Sequence, residues 1–146
     1  MPSSRIYSVT IALVMLFGLG TTTVGLAQAQ NVKTVKLPNG EEVVDISGEW
    51  DTQIENYGPW SGYGTYPNVI KITLEGNSFV GIRMKADTYS SAGTELFRGE
   101  LDNDGIKKIQ IITGMGPYDA KGQISENGNK IIIDDGEKAR STLIRK

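Results

Sequence analysis

The chain contains no histidine and no cysteine among its 146 residues. Without histidine, the side chain that most often serves as a general base near neutral pH is missing. Without both, the side chains from which zinc, copper and haem sites are mostly built are missing as well. There is no thiol nucleophile, and no disulfide can hold the fold, so the chain must be stabilised by packing alone. A strong charge of one sign is also lacking: 15 Lys and Arg stand against 17 Asp and Glu, a net of −2. That balance offers no basic face for nucleic acid. A carboxylate pair remains possible as an acid–base device. However, Glu49, Asp51, Glu100 and Asp119 all fall on the polar phase of alternating segments, where they would be solvated. The expectation is a protein that is not an enzyme, with no catalytic residue, no metal and no cofactor.

What is present begins with an export signal. Arg5 supplies a short positive region, Ile11 to Gly20 an apolar core, and Ala27-Gln28-Ala29 the small-x-small pattern that signal peptidase accepts. Thr21-Thr22-Thr23 cuts the apolar run short of the roughly 20 residues that span a bilayer. Residues 1–29 are therefore expected to be a signal peptide, with an uncleaved N-terminal anchor as the alternative. With no cysteine, attachment of a lipid at a lipobox is excluded. Export to the periplasm or the medium follows, with no stable membrane insertion once the peptide is removed. Cleavage after Ala29 leaves 117 of the 146 residues. That is one domain's worth, divided into an N-terminal extension at 30–43 and a domain at 44–146.

Within that domain, period-2 alternation dominates and no convincing 3.6-residue apolar repeat occurs. Ile46, Gly48, Trp50, Thr52 and Ile54 share one face of a first strand, and Ile70, Ile72 and Leu74 one face of a second. Gly76-Asn77, Asp102-Asn103-Asp104-Gly105 and Glu126-Asn127-Gly128-Asn129 are turn signals between further alternating segments. Arg140 to Arg145 is the last strand. The count is eight strands in serial hairpins, which predicts an all-β, antiparallel up-and-down barrel, closed so that no edge is left exposed. Eight strands enclose space for packed side chains or one small ligand. Gly48, Gly81, Gly99 and Gly122 lie inside strands, where glycine is costly unless the sheet bends or another group approaches closely. Strong curvature would account for all four.

Gly48-Glu49-Trp50 on a first strand, serial hairpins and a basic last strand resemble the calycin superfamily of lipocalins, avidin-like proteins and bacterial lipocalin-like domains. The segment Ile72 to Gly81 is similar to the second hairpin of such barrels. The resemblance implies that Trp50 lies across the closed end and that a basic residue of the last strand, Arg140 or Arg145, packs over it. The disulfides common in secreted lipocalins are absent.

Two candidate sites follow. Asn56 to Pro67 holds four of the nine aromatics beyond residue 29: Tyr57, Trp60, Tyr63 and Tyr66. A loop of this length with glycine hinges suits a lid or binding surface, and Tyr and Trp offer broad faces with a polar tip. The alternative is that these rings plug the barrel as core. The second candidate is Arg83. If Gly76-Asn77 is a two-residue turn, Ile70 pairs with Arg83, which then faces inward with Lys85 as an anion anchor. A three-residue loop would pair Ile70 with Ile82 and send both cations outside. Asp102-Asn103-Asp104-Gly105 resembles the start of a calcium loop, but residue 113 is threonine where the bidentate glutamate should stand. The partner expected is a small apolar or amphipathic ligand at the barrel mouth. The alternative is another protein into which the aromatic loop inserts, as in an inhibitor or accessory subunit.

Overall fold

The computed structural model describes residues 32–146, and the signal-peptide assignment lies outside them. Ten strands follow one another: β1 (Thr34–Lys36), β2 (Glu42–Val44), β3 (Gly48–Asn56), β4 (Thr65–Glu75), β5 (Ser78–Arg83), β6 (Glu95–Asp102), β7 (Gly105–Thr113), β8 (Gly116–Ser125), β9 (Lys130–Asp134) and β10 (Ala139–Arg145). Strands β3 to β10 form a closed antiparallel barrel in which each pairs with its sequence neighbours and β10 closes on β3. The all-β, eight-stranded up-and-down architecture is thus as the alternation predicts. Among the described residues, no helix is long and apolar enough to cross a membrane.

Gly76-Asn77 is a two-residue turn, because Glu75 pairs with Ser78, Leu74 with Phe79, Ile72 with Gly81 and Ile70 with Arg83. That register decides which side chains point inward. Ile70, Ile72, Phe79, Phe97, Leu101, Ile131, Ile133 and Leu143 are fully or almost fully buried and fill the lumen below the mouth. Each such side chain contributes about 1.5–3 kcal/mol when removed from water.

At three of the four strand glycines a neighbouring group occupies the space a Cβ would take. A Cβ at Gly81 would overlap the Phe97 ring, one at Gly99 would overlap Phe79 and the carbonyl of Lys108, and one at Gly122 would meet Ile106. Gly81 pairs with Phe97 across β5–β6, and Gly99 pairs with Phe79 across the same two strands. The two rings lie edge to face at 6.1 Å, each occupying the space the opposite residue leaves empty. Gly48 is different: nothing is close to it, but its φ of +115° is a conformation that favours glycine.

The segment assigned as an N-terminal extension supplies the β1–β2 hairpin, and Asn39-Gly40 sits at its turn. Its Leu37 and Val43 are buried in the same core cluster as Trp50 and Ile46. The compact unit accordingly runs from Lys33 to Lys146.

At the closed end Trp50 is fully buried, and its Nε1 donates to the Ile46 carbonyl at 2.9 Å. The cation over its ring is Arg145, 4.4 Å from the centroid, which corrects the Arg140 alternative. Arg145 lies directly across from Trp50 in the β3–β10 pairing and shares the inward phase of Leu143 and Ser141. Arg140 is on the opposite phase, outside the barrel, bonded to Asp134 at 2.8 Å. Arg145 donates to the carbonyls of Asp45 (2.7 Å), Gly128 (2.9 Å) and Ser47 (3.3 Å), so one guanidinium joins the start of β3 to the β8–β9 turn.

Candidate functional site

The open end of the barrel is built from the 57–64 segment, the 84–94 connection between β5 and β6, and the β7–β8 turn. The first is shorter than the sequence suggests. Gly58–Tyr63 form a 3-10 turn with Pro59 at its start, and β4 already begins at Thr65, so Tyr66 is a strand residue. These elements surround a cavity of about 280 Å³ lined by Trp60, Tyr63, Tyr66, Tyr89 and Met115 above. Ile54, Leu96, Ile111 and Ser141 line it below, with Arg83 at its side.

The aromatics form a connected wall. Trp60 meets Tyr63 edge-on at 6.2 Å, Tyr63 meets Tyr89 at 5.2 Å, and Tyr66 leans on Tyr89 at 5.9 Å. Trp60 also takes Tyr118 of β8 at 5.6 Å. The amine of Lys138 sits 4.1 Å above the Tyr118 ring and 5.5 Å from that of Trp60, held there by Asp135 at 3.1 Å. Edge-to-face pairs contribute about 0.5–1.5 kcal/mol each beyond the area they bury. The wall is therefore preorganised. Burial, with the charge of Asp87 in support, raises the pKa of Tyr66, so its hydroxyl remains a protonated donor.

Three of the four loop aromatics line the cavity; Tyr57 does not. Its hydroxyl donates to Asp134 Oδ1 at 2.5 Å on the outside of the barrel, and Arg140 stacks over its ring at 5.8 Å. Tyr57 continues the outward phase of β3 beyond Asn56, which is why it faces away from the mouth. Two further aromatics, Tyr89 and Tyr118, join the wall from outside the expected loop. Tyr118 shares the alternation of Ala120, Gly122 and Ile124, a signal that marks it as inward-facing. Tyr89 lies in an irregular connection with no periodicity to reveal it.

Arg83 faces inward and is only 7 % exposed. Its Nη1 donates to the Glu95 carbonyl at 2.8 Å and to Thr94 Oγ1 at 3.3 Å. Nε, 3.6 Å from Asp87 Oδ2, has no hydrogen-bond partner among the described residues. Lys85 does not join it, although the expectation from a two-residue turn is that both cations face inward. Strand β5 ends at Arg83, the alternation stops there, and Lys85 is exposed beside Asp51, Gln53 and Ile144 on the outer face. Asn68 fastens this departure, donating to the Lys85 carbonyl at 3.0 Å.

Outside the wall, Asp134 and Asp135 tie the β9–β10 turn. Burial raises both carboxyl pKa values, but hydrogen bonds outweigh it: Tyr57, the Gly136 N–H and Arg140 on Asp134, and three backbone N–H groups with Lys138 on Asp135. Both therefore ionise below the usual carboxylate range. A carboxyl depressed in the fold contributes stability above its unfolded pKa of 3.8 and loses it as the pH falls through the lower folded value. The Asp134 hydrogen bond pushes the Tyr57 phenol up to about 12 from 10.0, so its contribution holds below pH 10 and is lost as the pH rises through 12. Two readouts check this. Thermal stability should drop on acidification below about pH 4, less steeply in Asp135→Asn. In a titration of tyrosine absorbance, one phenol should ionise last, and Tyr57→Phe should remove that late step.

Chemically, this arrangement can bind. Among the described residues, no inward-facing strand position carries Asp or Glu, and no cluster of carboxylates is placed to hold a metal ion. The chain was compared with protein-family models, with curated proteins and with solved structures. It matches none of them. The barrel itself is compatible with a calycin-like fold.

Proposed function

We propose that this protein is an exported, lipocalin-like, non-enzymatic barrel that binds a small, partly apolar ligand at its mouth. The observation that carries the reading is the mouth cavity itself. Below it the lumen is packed solid by Phe79, Phe97 and the isoleucines, whereas the aromatic wall encloses about 280 Å³ with Arg83 and Ser141 beside it. That volume is near the lower end of small-molecule sites. A mouth-held ligand fits it; a long chain threaded down the barrel does not. Arg145 over Trp50 supports the calycin part of the reading, since the resemblance implies a cation in that place.

Native mass spectrometry of protein purified from its own host tests this, with a non-protein adduct as the expected result. Trp60→Ala should weaken ligand binding roughly tenfold or more, because aromatic anchors dominate recognition. Loss of the adduct should accompany it. An adduct retained in full by Trp60→Ala would place the ligand elsewhere and defeat the reading.

A second reading has its own observation. Tyr63 (47 %), Tyr89 (52 %) and Met115 (67 %) are exposed together on the rim, as in a protein-interaction module such as an inhibitor or accessory subunit. On that reading Met115→Ser and Tyr89→Ser abolish co-purification of a partner while the mouth binds no small molecule.

A further inference from the structure

Arg83 looks at first like an anchor for an anionic ligand, but its charge is already matched. Asp87 lies 3.6 Å from Nε, and both side chains are only 8 % exposed. Asp87 is fixed in that position, its Oδ1 accepting the N–H groups of Tyr89 and Ser90 at 2.9 and 2.8 Å. Two further cations at this end of the barrel are matched too: Lys138 by Asp135 and Glu137, and Arg140, on the outer face, by Asp134. Three cations therefore face four carboxylates. Nη1 is committed to Glu95 and Thr94, neither Nε nor Nη2 has a hydrogen-bond partner among the described residues, and Arg83 lines the cavity.

A carboxylate brought to Nη2 would place a second anion beside the buried Asp87, and like charges sharing a poorly solvated site repel. A neutral acceptor meets the same N–H without that repulsion. A planar ring suits the wall of aromatic edges and faces around it. We propose that the mouth selects an uncharged aromatic ligand bearing a carbonyl-type acceptor, with Arg83 as donor and Asp87 as the residue that turns anions away. This rests on the mouth being a ligand site.

Three probes of one shape and different charge decide it: 2-naphthamide, 2-naphthoate and 2-naphthylmethylammonium, titrated into the purified protein by calorimetry at neutral pH. The amide is expected to bind at least tenfold more tightly than either ion. In Asp87→Asn, which keeps an Oδ1 acceptor for the loop N–H groups, the naphthoate should gain at least tenfold and overtake the amide. If the wild type takes the naphthoate or the ammonium as tightly as the amide, selection by charge is overturned while the mouth remains a ligand site. If none of the three binds, the ligand-site reading itself fails. Should Asp87→Asn not fold, the ranking of the three probes in the wild type decides alone.

Discussion

Arg145→Ala should lower the melting temperature by about 12 °C, the largest loss expected from removing any one surface-reaching side chain. The substitution removes the cation from the Trp50 ring, which contributes about 0.5–2 kcal/mol. It also leaves the carbonyls of Asp45, Ser47 and Gly128 without their charged donor. Charge-assisted hydrogen bonds contribute roughly 1.5–3 kcal/mol, and partial access of water to this end of the barrel reduces their cost. A total of about 3 kcal/mol is a large share of the 5–15 kcal/mol by which domains are usually stable. For a domain of this size each kcal/mol moves the midpoint by about 4 °C. Arg145→Lys should recover less than half, because an ammonium cannot reach three carbonyls with a planar fork. Arg140→Ala is the control. Its guanidinium is half exposed and bonded only to Asp134 and the face of Tyr57, so a much smaller drop in melting temperature is expected. Equal melting temperatures for the two alanine variants would show that the closed end is not held by Arg145.

The choice between those two arginines is within reach of the sequence. Arg145 is in step with Leu143, Ser141 and Ala139, and Arg140 is in step with Thr142 and Ile144; alternation alone separates them. The strands themselves are legible for the same reason, since a barrel with a packed apolar interior imposes period 2 on every strand of the sheet. Where alternation breaks, legibility ends. The direction of Arg83 depends on whether the turn at Gly76-Asn77 holds two residues or three, and one residue reverses every side chain. Lys85 escapes the pattern because the strand stops two residues earlier. Tyr89 leaves no trace in the sequence, since its position depends on Asp87 shaping an irregular connection through side-chain hydrogen bonds to the backbone. The β1–β2 hairpin is different again. Asn39-Gly40 is a hairpin signal in plain view, and the role of that hairpin in the core emerges only from where Leu37 and Val43 pack.

The mouth and the closed end divide the labour. Arg145, Trp50 and the β1–β2 hairpin fix one end, and the packed middle keeps the barrel from collapsing or opening. The aromatic wall can then stand around a cavity that contributes little to stability. Substitutions at Trp60 or Tyr89 are accordingly expected to show up in binding more than in melting temperature, and those at the middle of β5 and β6 the reverse.

That middle carries the most severe prediction. Gly99→Ala should cost at least about 3 kcal/mol, at the upper end for overpacked cores, because the added methyl meets the backbone carbonyl of Lys108 as well as the Phe79 ring. At Gly81 the atoms nearest an added methyl all belong to the Phe97 ring. The two pairs therefore differ in what can yield. Phe97→Leu alone should cost about 1–2 kcal/mol through lost packing. Combined with Gly81→Ala it should restore most of the loss, since the leucine vacates the space the methyl needs. Phe79→Leu combined with Gly99→Ala should restore little, since a strand carbonyl cannot move aside without breaking the β6–β7 ladder. Chemical denaturation of the four single and two double variants measures both coupling energies. A strongly favourable coupling for Gly81 with Phe97 and a weak one for Gly99 with Phe79 is the expected result. Equal couplings would mean that the glycines answer to curvature of the sheet, and that the rings merely fill what curvature leaves.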